Sequence, residues 1–420
     1  MRLFFTILTI LYFSTSFGQQ KTKRILFLGN SYTYYNDLPK MLADVASSMG
    51  DSIIFDSNTP GGYTLKEHTT NIISLNKIGV GNWDYVILQE QSQLPALPIS
   101  QVNSDVFPYA RILDSIINKK NICAETIFYM TWGRKNGDGS NCSSWPPVCT
   151  YKGMDSLLAI RYKTMADTNN AFLSPVGAVW KKIKQNFPLL ELYQSDESHP
   201  VEAGTYIAAC CFYTITFRKN PMLISFNASL SAIDAANIKM AVKQIVYDSL
   251  IKYNVGKYDA KAAFTYTSSN ENIFAFTNTS KNADTYFWNF GDGATSILEN
   301  PIHKFVNAGN FSVKLTASKC DKKDSIIQVL NVVNFLVSIE DSLSIKIFPN
   351  PVKSMLTINK KNLTNITYKI INSLGKIIKT GIINNTSKQI DVSTIANGIY
   401  FLQLFDGNQS MVNKKFVKQS

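Results

Sequence analysis

Histidine is scarce: the 420-residue sequence holds three, His68, His199 and His303. Imidazole is the side chain that changes charge near neutral pH, so proton-transfer chemistry of that kind has few candidate positions. No two of the three stand at a ligand spacing such as i and i+4, and the six cysteines show neither a zinc nor an iron–sulfur spacing. Both absences argue against a metal centre. Past the first residues, no run reaches the roughly eighteen uninterrupted apolar residues of a spanning helix, so no stable transmembrane segment is expected. Charge is sparse too, at 17% of residues, yet its formal sum is +12. The excess is not gathered into an arginine-rich patch with interleaved aromatics, and eleven Lys against three Asp lie from Asp341 onward. A solvated basic surface accounts for this, and nucleic acid is not an expected partner.

What the sequence does hold is apolar material, 45% of residues with 12% aromatic, over a length that exceeds a single core and suits two or three domains. Met1 and Arg2 precede an uncharged, mostly apolar run from Leu3 to Phe13, and Ser16 and Gly18 are small residues at the positions before a cleavage site. Residues 1–18 therefore read as a secretory signal peptide. Export permits disulfides. Cys142 and Cys149, bracketing a Ser-Ser-Trp-Pro-Pro-Val loop, are the best candidate pair, whereas Cys123, Cys210, Cys211 and Cys320 read as small core residues.

From about Lys21 to Tyr253, short apolar runs alternate with helical patterns, as in a parallel sheet flanked by helices. Strands are predicted at 24–28, 52–55, 85–88 and 126–131. Helices are predicted from about Pro39 and over 109–117, 154–165, 201–217 and 238–253. After Gly256 helical periodicity gives way to alternating strands. In Tyr286-Phe287-Trp288-Asn289-Phe290-Gly291-Asp292-Gly293, alternation puts Phe287 on the face opposite Trp288, and the Gly-Asp-Gly makes a tight turn. This stretch resembles a PKD domain. From about Ser342, strands such as Leu356-Thr357-Ile358 and Gly398 to Leu404, separated by turns, argue a further small sandwich. That segment is similar to the C-terminal sorting domain of the type IX secretion system, which implies that machinery as a partner and a secreted or cell-surface destination. The predicted organisation is a signal peptide (1–18), an α/β domain (19–257), a PKD-like sandwich (260–335) and a sorting domain (342–420).

Two short segments carry chemistry. Ile25-Leu26-Phe27-Leu28-Gly29-Asn30-Ser31 is a buried strand with a sharp exit, which exposes a serine at the sheet's C-terminal edge near free backbone N–H groups. Asp196-Glu197-Ser198-His199-Pro200 precedes a helix, and an Asp three residues before a His can hold the imidazole tautomer while the other ring nitrogen faces the serine. Helix capping by Asp196 or Ser198 is the alternative reading of that segment. Together, in this order and at the two ends of one α/β unit, the segments resemble the SGNH hydrolase superfamily over about 230 residues. The resemblance implies a flavodoxin-like, three-layer α/β domain, with Ser31 as nucleophile, His199 as general base and Asp196 as the third member of a triad.

The same resemblance places oxyanion donors at the backbone N–H of Ser31 and at Gly62, with Gly61 as the alternative. A third block normally offers Gly-x-Asn-Asp, and here Leu88 is followed by Gln89-Glu90-Gln91-Ser92. Gln91 occupies the place of the Asn and Gln89 is the alternative, as in a branch of SGNH-like proteins with a Leu-Gln-Glu-x-Ser block. His68 either faces the cleft, as a substrate contact, or caps the local helix. Trp132 and Trp145 lie beyond the fourth strand, where they either stack on a sugar ring or pin their loop.

These features imply acyl transfer through Ser31 with no cofactor and no metal. The substrate is an ester, as a small molecule or on a polysaccharide, and short acyl groups on carbohydrate lead because export with an appended PKD domain suits extracellular polysaccharide processing. A non-catalytic glycan-binding or adhesion protein on the same fold is the alternative, favoured by the missing Asn. The polar run from Gly133 to Asp138 does not resemble the apolar lid of a lipase.

Overall fold

The computed structural model describes residues 21–269, 272–333, 345–359, 366–383, 387–406 and 409–420. The signal-peptide expectation, residues 1–18, lies outside them. The first unit is built on five parallel strands, β1 (Thr22–Leu28), β2 (Ser52–Asn58), β3 (Tyr85–Leu88), β4 (Glu125–Tyr129) and β5 (Phe172–Ser174), in the order β2-β1-β3-β4-β5. This is the flavodoxin-like order. Its direction of winding reverses between β1 and β3, which opens a crevice beyond their carboxyl ends.

Alternation along β1 divides the core in two. Ile25 and Phe27 face helices Leu38–Ser47, Val176–Asn186, Glu202–Phe217 and Ala232–Ile245, while Leu26 and Leu28 face Phe107–Lys120 and Tyr151–Thr168. All four β1 side chains are buried, which is why the strand reads as a continuous apolar run. Helix Leu38–Ser47 starts where Asp37 accepts from the Lys40 N–H at 3.2 Å, with Pro39 in its first turn. Helix Glu202–Phe217 lies almost wholly in the core, so its sequence shows little polar alternation.

The second unit is two antiparallel sheets, one of Phe264–Ser268, Ile273–Asn278 and Ile302–Lys304, the other of Thr285–Asn289, Thr295–Ser296, Gly309–Lys319 and Lys322–Val332. Trp288 is fully buried and Phe287 is exposed, as the alternation requires. In the Gly-Asp-Gly turn, Gly291 and Gly293 take φ of +85° and +98°, which favours glycine. Asp292 meets His303 Nε2 at 2.7 Å. The third unit also pairs a three-stranded with a four-stranded antiparallel sheet, over a core that includes Leu356, Ile358, Leu402 and Phe416.

The cysteines correct one expectation. Cys142 pairs with Cys149, and Cys210 and Cys211 are buried thiols, but Cys123 and Cys320 are bonded to each other across a separation of 197 residues. Neither sits in a core: Cys123 precedes β4 and Cys320 lies in the turn between Gly309–Lys319 and Lys322–Val332. Their bond joins the sandwich to the α/β unit. Around it, Lys322 pairs with Glu125 and with Asp259 (3.3 Å), Arg218 with Asp259, and Lys23 with Asp321 (3.4 Å). Lys23, Glu125 and Phe172, over whose ring Lys322 lies, are all at amino ends of parallel strands.

Candidate active site

At the opposite, carboxyl edge, β1 ends and Ser31 opens the short helix Ser31–Tyr34. Asn30 caps that helix through its side chain, accepting from the Tyr32 N–H at 3.2 Å. Ser31, as the first helical residue, has no intrahelical acceptor for its own N–H. A Cβ at Gly29 would lie 2.6 Å from Thr33 Oγ1 and 2.7 Å from Gln89 Oε1, so the turn closes only around glycine.

His199 Nε2 stands 2.8 Å from Ser31 Oγ, and His199 Nδ1 is hydrogen-bonded to Asp196 Oδ2. The local sequence explains the second contact. Asp196 Oδ1 accepts the N–H groups of Ser198 and His199, both at 3.0 Å, which folds 196–199 into a tight turn with Glu197 in the left-handed region. Burial works to raise the Asp196 pKa, but the bonds from the His199 ring and from the backbone N–H groups of His199 and Ser198 outweigh it and hold the carboxyl low. Ionised Asp196 accepts a hydrogen bond from Nδ1–H and so holds the proton on that nitrogen, which leaves Nε2 as the acceptor for the Ser31 hydroxyl. The His199 side chain is 23% exposed and that of Asp196 45%, so the arrangement opens to solvent.

Aromatic rings fix the imidazole. Tyr35 stacks on it at 4.3 Å and Tyr32 meets its edge at 5.3 Å. Tyr32 stacks in turn on Trp132, and Trp132 on Trp180. Trp132 is fully buried and donates to the Ser198 carbonyl at 3.1 Å, so it supports the histidine turn and does not reach a sugar. Trp145 donates to Ala96 O at 3.0 Å and pins its loop.

Two other expectations are corrected. His68 is fully buried and faces no cleft: Nε2 donates to Gly29 O at 2.9 Å and Nδ1 accepts from Ser74 Oγ at 2.7 Å. Burial lowers its pKa, and the neutral ring props the backbone just before the serine turn. Gln89 is likewise buried, and its amide is fully used. Oε1 accepts from Asn30 N (2.9 Å) and Thr33 Oγ1 (3.0 Å), and Nε2 donates to Asn30 Oδ1 (2.8 Å) and Glu90 O. Gln89 thus builds the Ser31 turn and has no hydrogen left for an oxyanion. Leu at Gln89 is expected to leave Asn30 N–H unsatisfied and to destabilise the protein by about 2 kcal/mol, measurable by denaturant titration.

Gln91 is half-buried. Its oxygen accepts from Gln93 N and Leu94 N, and its nitrogen donates to Gln93 Oε1 at 3.0 Å, leaving one amide hydrogen. Gly62 takes φ +74° at the third position of a turn closed by Tyr63 N to Pro60 O (3.2 Å), a type II geometry that needs glycine there. Asn30 Nδ2 donates to Tyr63 O at 2.8 Å and ties that turn to the serine. A Gly61 Cβ would lie 3.9 Å from the Tyr34 hydroxyl, on the same rim.

Glu90, between the two glutamines, escaped sequence reasoning. It is wholly buried, Oε1 accepts from Leu65 N (3.1 Å) and Gln91 N (2.6 Å), and Oε2 has no partner. Burial pushes its pKa up to about 8 against opposing backbone hydrogen bonds, so the carboxyl is protonated at neutral pH. A folded pKa above the unfolded one favours folding most below pH ~4.5, and that contribution is lost as pH rises towards 8. Glu90→Gln is therefore expected to flatten the fall in melting temperature between pH 5 and 8; a fall as steep as that of the wild type would contradict it.

Residues 346–419 match the secretion system C-terminal sorting domain, and residues 259–332 match the PKD domain. The sorting domain identifies the type IX secretion machinery as a partner and a secreted or cell-surface destination. No helix among the described residues is long and apolar enough to cross a membrane. No curated protein matches the chain. Among solved structures, a DUF4886 family protein from Bacteroides uniformis is 16% identical, with 55% of this chain and 95% of that one covered and a TM-score of 0.48. The psychrotrophic esterase EstA from Pseudoalteromonas sp. is 14% identical, covering 47% and 97%, with a TM-score of 0.33. The PKD1 domain of the Vibrio cholerae metalloprotease PrtV is 29% identical over 18% of this chain and 96% of that domain, with a TM-score of 0.17.

Proposed function

We propose that the protein is an exported serine esterase of the SGNH type, acting on O-acetyl or other short acyl groups of carbohydrate. The observation that carries this reading is the hydrogen-bonded series Ser31–His199–Asp196 at the carboxyl edge of β1. Ser31 Oγ attacks the ester carbonyl carbon while its proton passes to His199 Nε2. The tetrahedral intermediate collapses, and the leaving alcohol takes that proton. Water then attacks the acyl-serine, gives a proton to Nε2, and releases the acid as the proton returns to Ser31 Oγ. Asp196 keeps the imidazole in the required tautomer throughout. The backbone N–H groups of Ser31 and Gly62 are the proposed oxyanion donors, with the remaining amide hydrogen of Gln91 as a third. Tyr34, half exposed on the rim beside Gly61, offers a face for a sugar ring. A signal peptide over residues 1–18 would bring the chain to the periplasm ahead of the type IX step.

A non-catalytic glycan-binding protein is the second reading, and the full engagement of the Gln89 amide favours it. Hydrolysis of p-nitrophenyl acetate and of acetylated xylan by the whole chain separates the two. Turnover that disappears in both Ser31→Ala and His199→Ala supports the esterase; the same background rate in all three proteins supports the binding protein.

A further inference from the structure

Arg134 follows β4 on the carboxyl edge of the sheet, where the Gln89–Ser92 segment and the His199 turn meet. Lys135 N donates to Glu197 O at 2.9 Å and Asn136 Nδ2 to Glu197 Oε2 at 2.8 Å, so residues 134–136 are zipped to the turn that carries Asp196 and His199. On its other side the loop is fixed by Asp138, which is buried. Asp138 accepts from Gln93 Nε2 (2.8 Å), Ser140 N (3.2 Å) and Asn141 Nδ2 (2.7 Å), and its N–H donates to Val148 O beside the Cys142–Cys149 bridge. Gly133 admits no side chain, because its Cβ would lie 2.8 Å from Tyr151 O. Backbone and disulfide thus hold one arginine in a set place.

The protein does little to satisfy the group so placed. Of five N–H donors, one reaches Ser92 Oγ at 3.3 Å and one Asp138 Oδ1 at 3.5 Å, while Nε is buried without a partner. The side chain is 24% exposed. Asp138 divides its oxygens among three other donors, so it is a weak counter-ion here. A guanidinium with unused donors, on a loop tied to the turn that carries His199, is matched by a carboxylate, which it binds through two parallel hydrogen bonds.

We infer that Arg134 is a substrate-binding residue of the Ser31 site, and that the preferred ester carries a carboxylate close to the scissile bond. This rests on the esterase reading. The carboxylate could belong to the acyl part, as in a dicarboxylic half-ester, or to the alcohol part, as in an acylated uronic acid.

Two pairs of esters test it at pH 7 with the whole chain: p-nitrophenyl butyrate against mono-p-nitrophenyl succinate, and methyl 4-acetoxybenzoate against 4-acetoxybenzoate. In one pair the wild type is expected to prefer the charged member in kcat/KM by about tenfold or more. Arg134→Gln brings that ratio near one, Arg134→Lys retains part of it, and the responding pair tells which side of the ester bears the charge. No preference in either pair, or a preference that survives in Arg134→Gln, overturns the assignment while leaving the esterase reading in place. Equal losses on the charged and neutral members in Arg134→Gln also overturn it, since they mark a purely structural role. No hydrolysis of any of the four esters by the wild type overturns both readings.

Discussion

Alanine at Ser31 is expected to lower kcat/KM for p-nitrophenyl acetate by about three to four orders of magnitude or more, and alanine at His199 by a similar factor. The two losses should not add. Without the hydroxyl there is no proton for Nε2 to take, and without the imidazole the hydroxyl is a weak nucleophile, so the double variant should resemble the worse of the two single ones. Asp196→Ala should be milder by about two orders of magnitude, because it removes the orienting bond and leaves the nucleophile and base in place. The openness of Asp196 to solvent points the same way, since water can substitute for part of its bond to Nδ1. Rates fitted after subtraction of the uncatalysed reaction decide the matter. A Ser31→Ala protein within tenfold of the wild type would end the nucleophile assignment whatever the geometry.

The parts of this site that could be read in the sequence are those whose cause is local. A buried strand followed by Gly29, Asn30 and Ser31 is a pattern of adjacent residues, and so is an Asp three places before a His. Trp288 and Phe287 went to opposite faces because strand alternation has a period of two. β5 was missed because it has three residues, too few to show a period, and helix Val176–Asn186 follows it almost directly. What sequence reasoning misplaced depends on partners far along the chain. Gln89 was weighed as an oxyanion donor because its position in the block was visible, but its partners Asn30 and Thr33 lie 59 and 56 residues away. His68 follows a glycine turn, which leaves the cleft and the local helix end as its two readings, yet Ser74 and Gly29 satisfy both ring nitrogens in the interior. Glu90 and Arg134 carried no local signal, since a charged residue in a loop normally faces water.

Replacing Cys123 and Cys320 together by serine is expected to produce the largest loss of stability of any change away from the catalytic series. A bridge acts mainly by restricting the unfolded chain, and the loop closed here spans 197 residues. Chain entropy then gives a stabilisation of about 5 kcal/mol, against about 2 kcal/mol for the loop of 7 residues between Cys142 and Cys149. For units of this size the first figure corresponds to a fall in melting temperature of roughly 10 °C. The ion pairs of Lys322, Arg218 and Lys23 are partly exposed and should not replace the covalent link. Catalysis should respond differently. The bridge sits by the amino ends of the strands and Ser31 at the carboxyl end of β1, about 20 Å away along a seven-residue strand. Below the melting temperature, kcat/KM is expected to stay within twofold of the wild type. A melting temperature lowered no further than by the Cys142/Cys149 double serine variant would show that the sandwich adds no restraint to the α/β unit. A matching loss of kcat/KM would show that strain at one end of the sheet reaches the other.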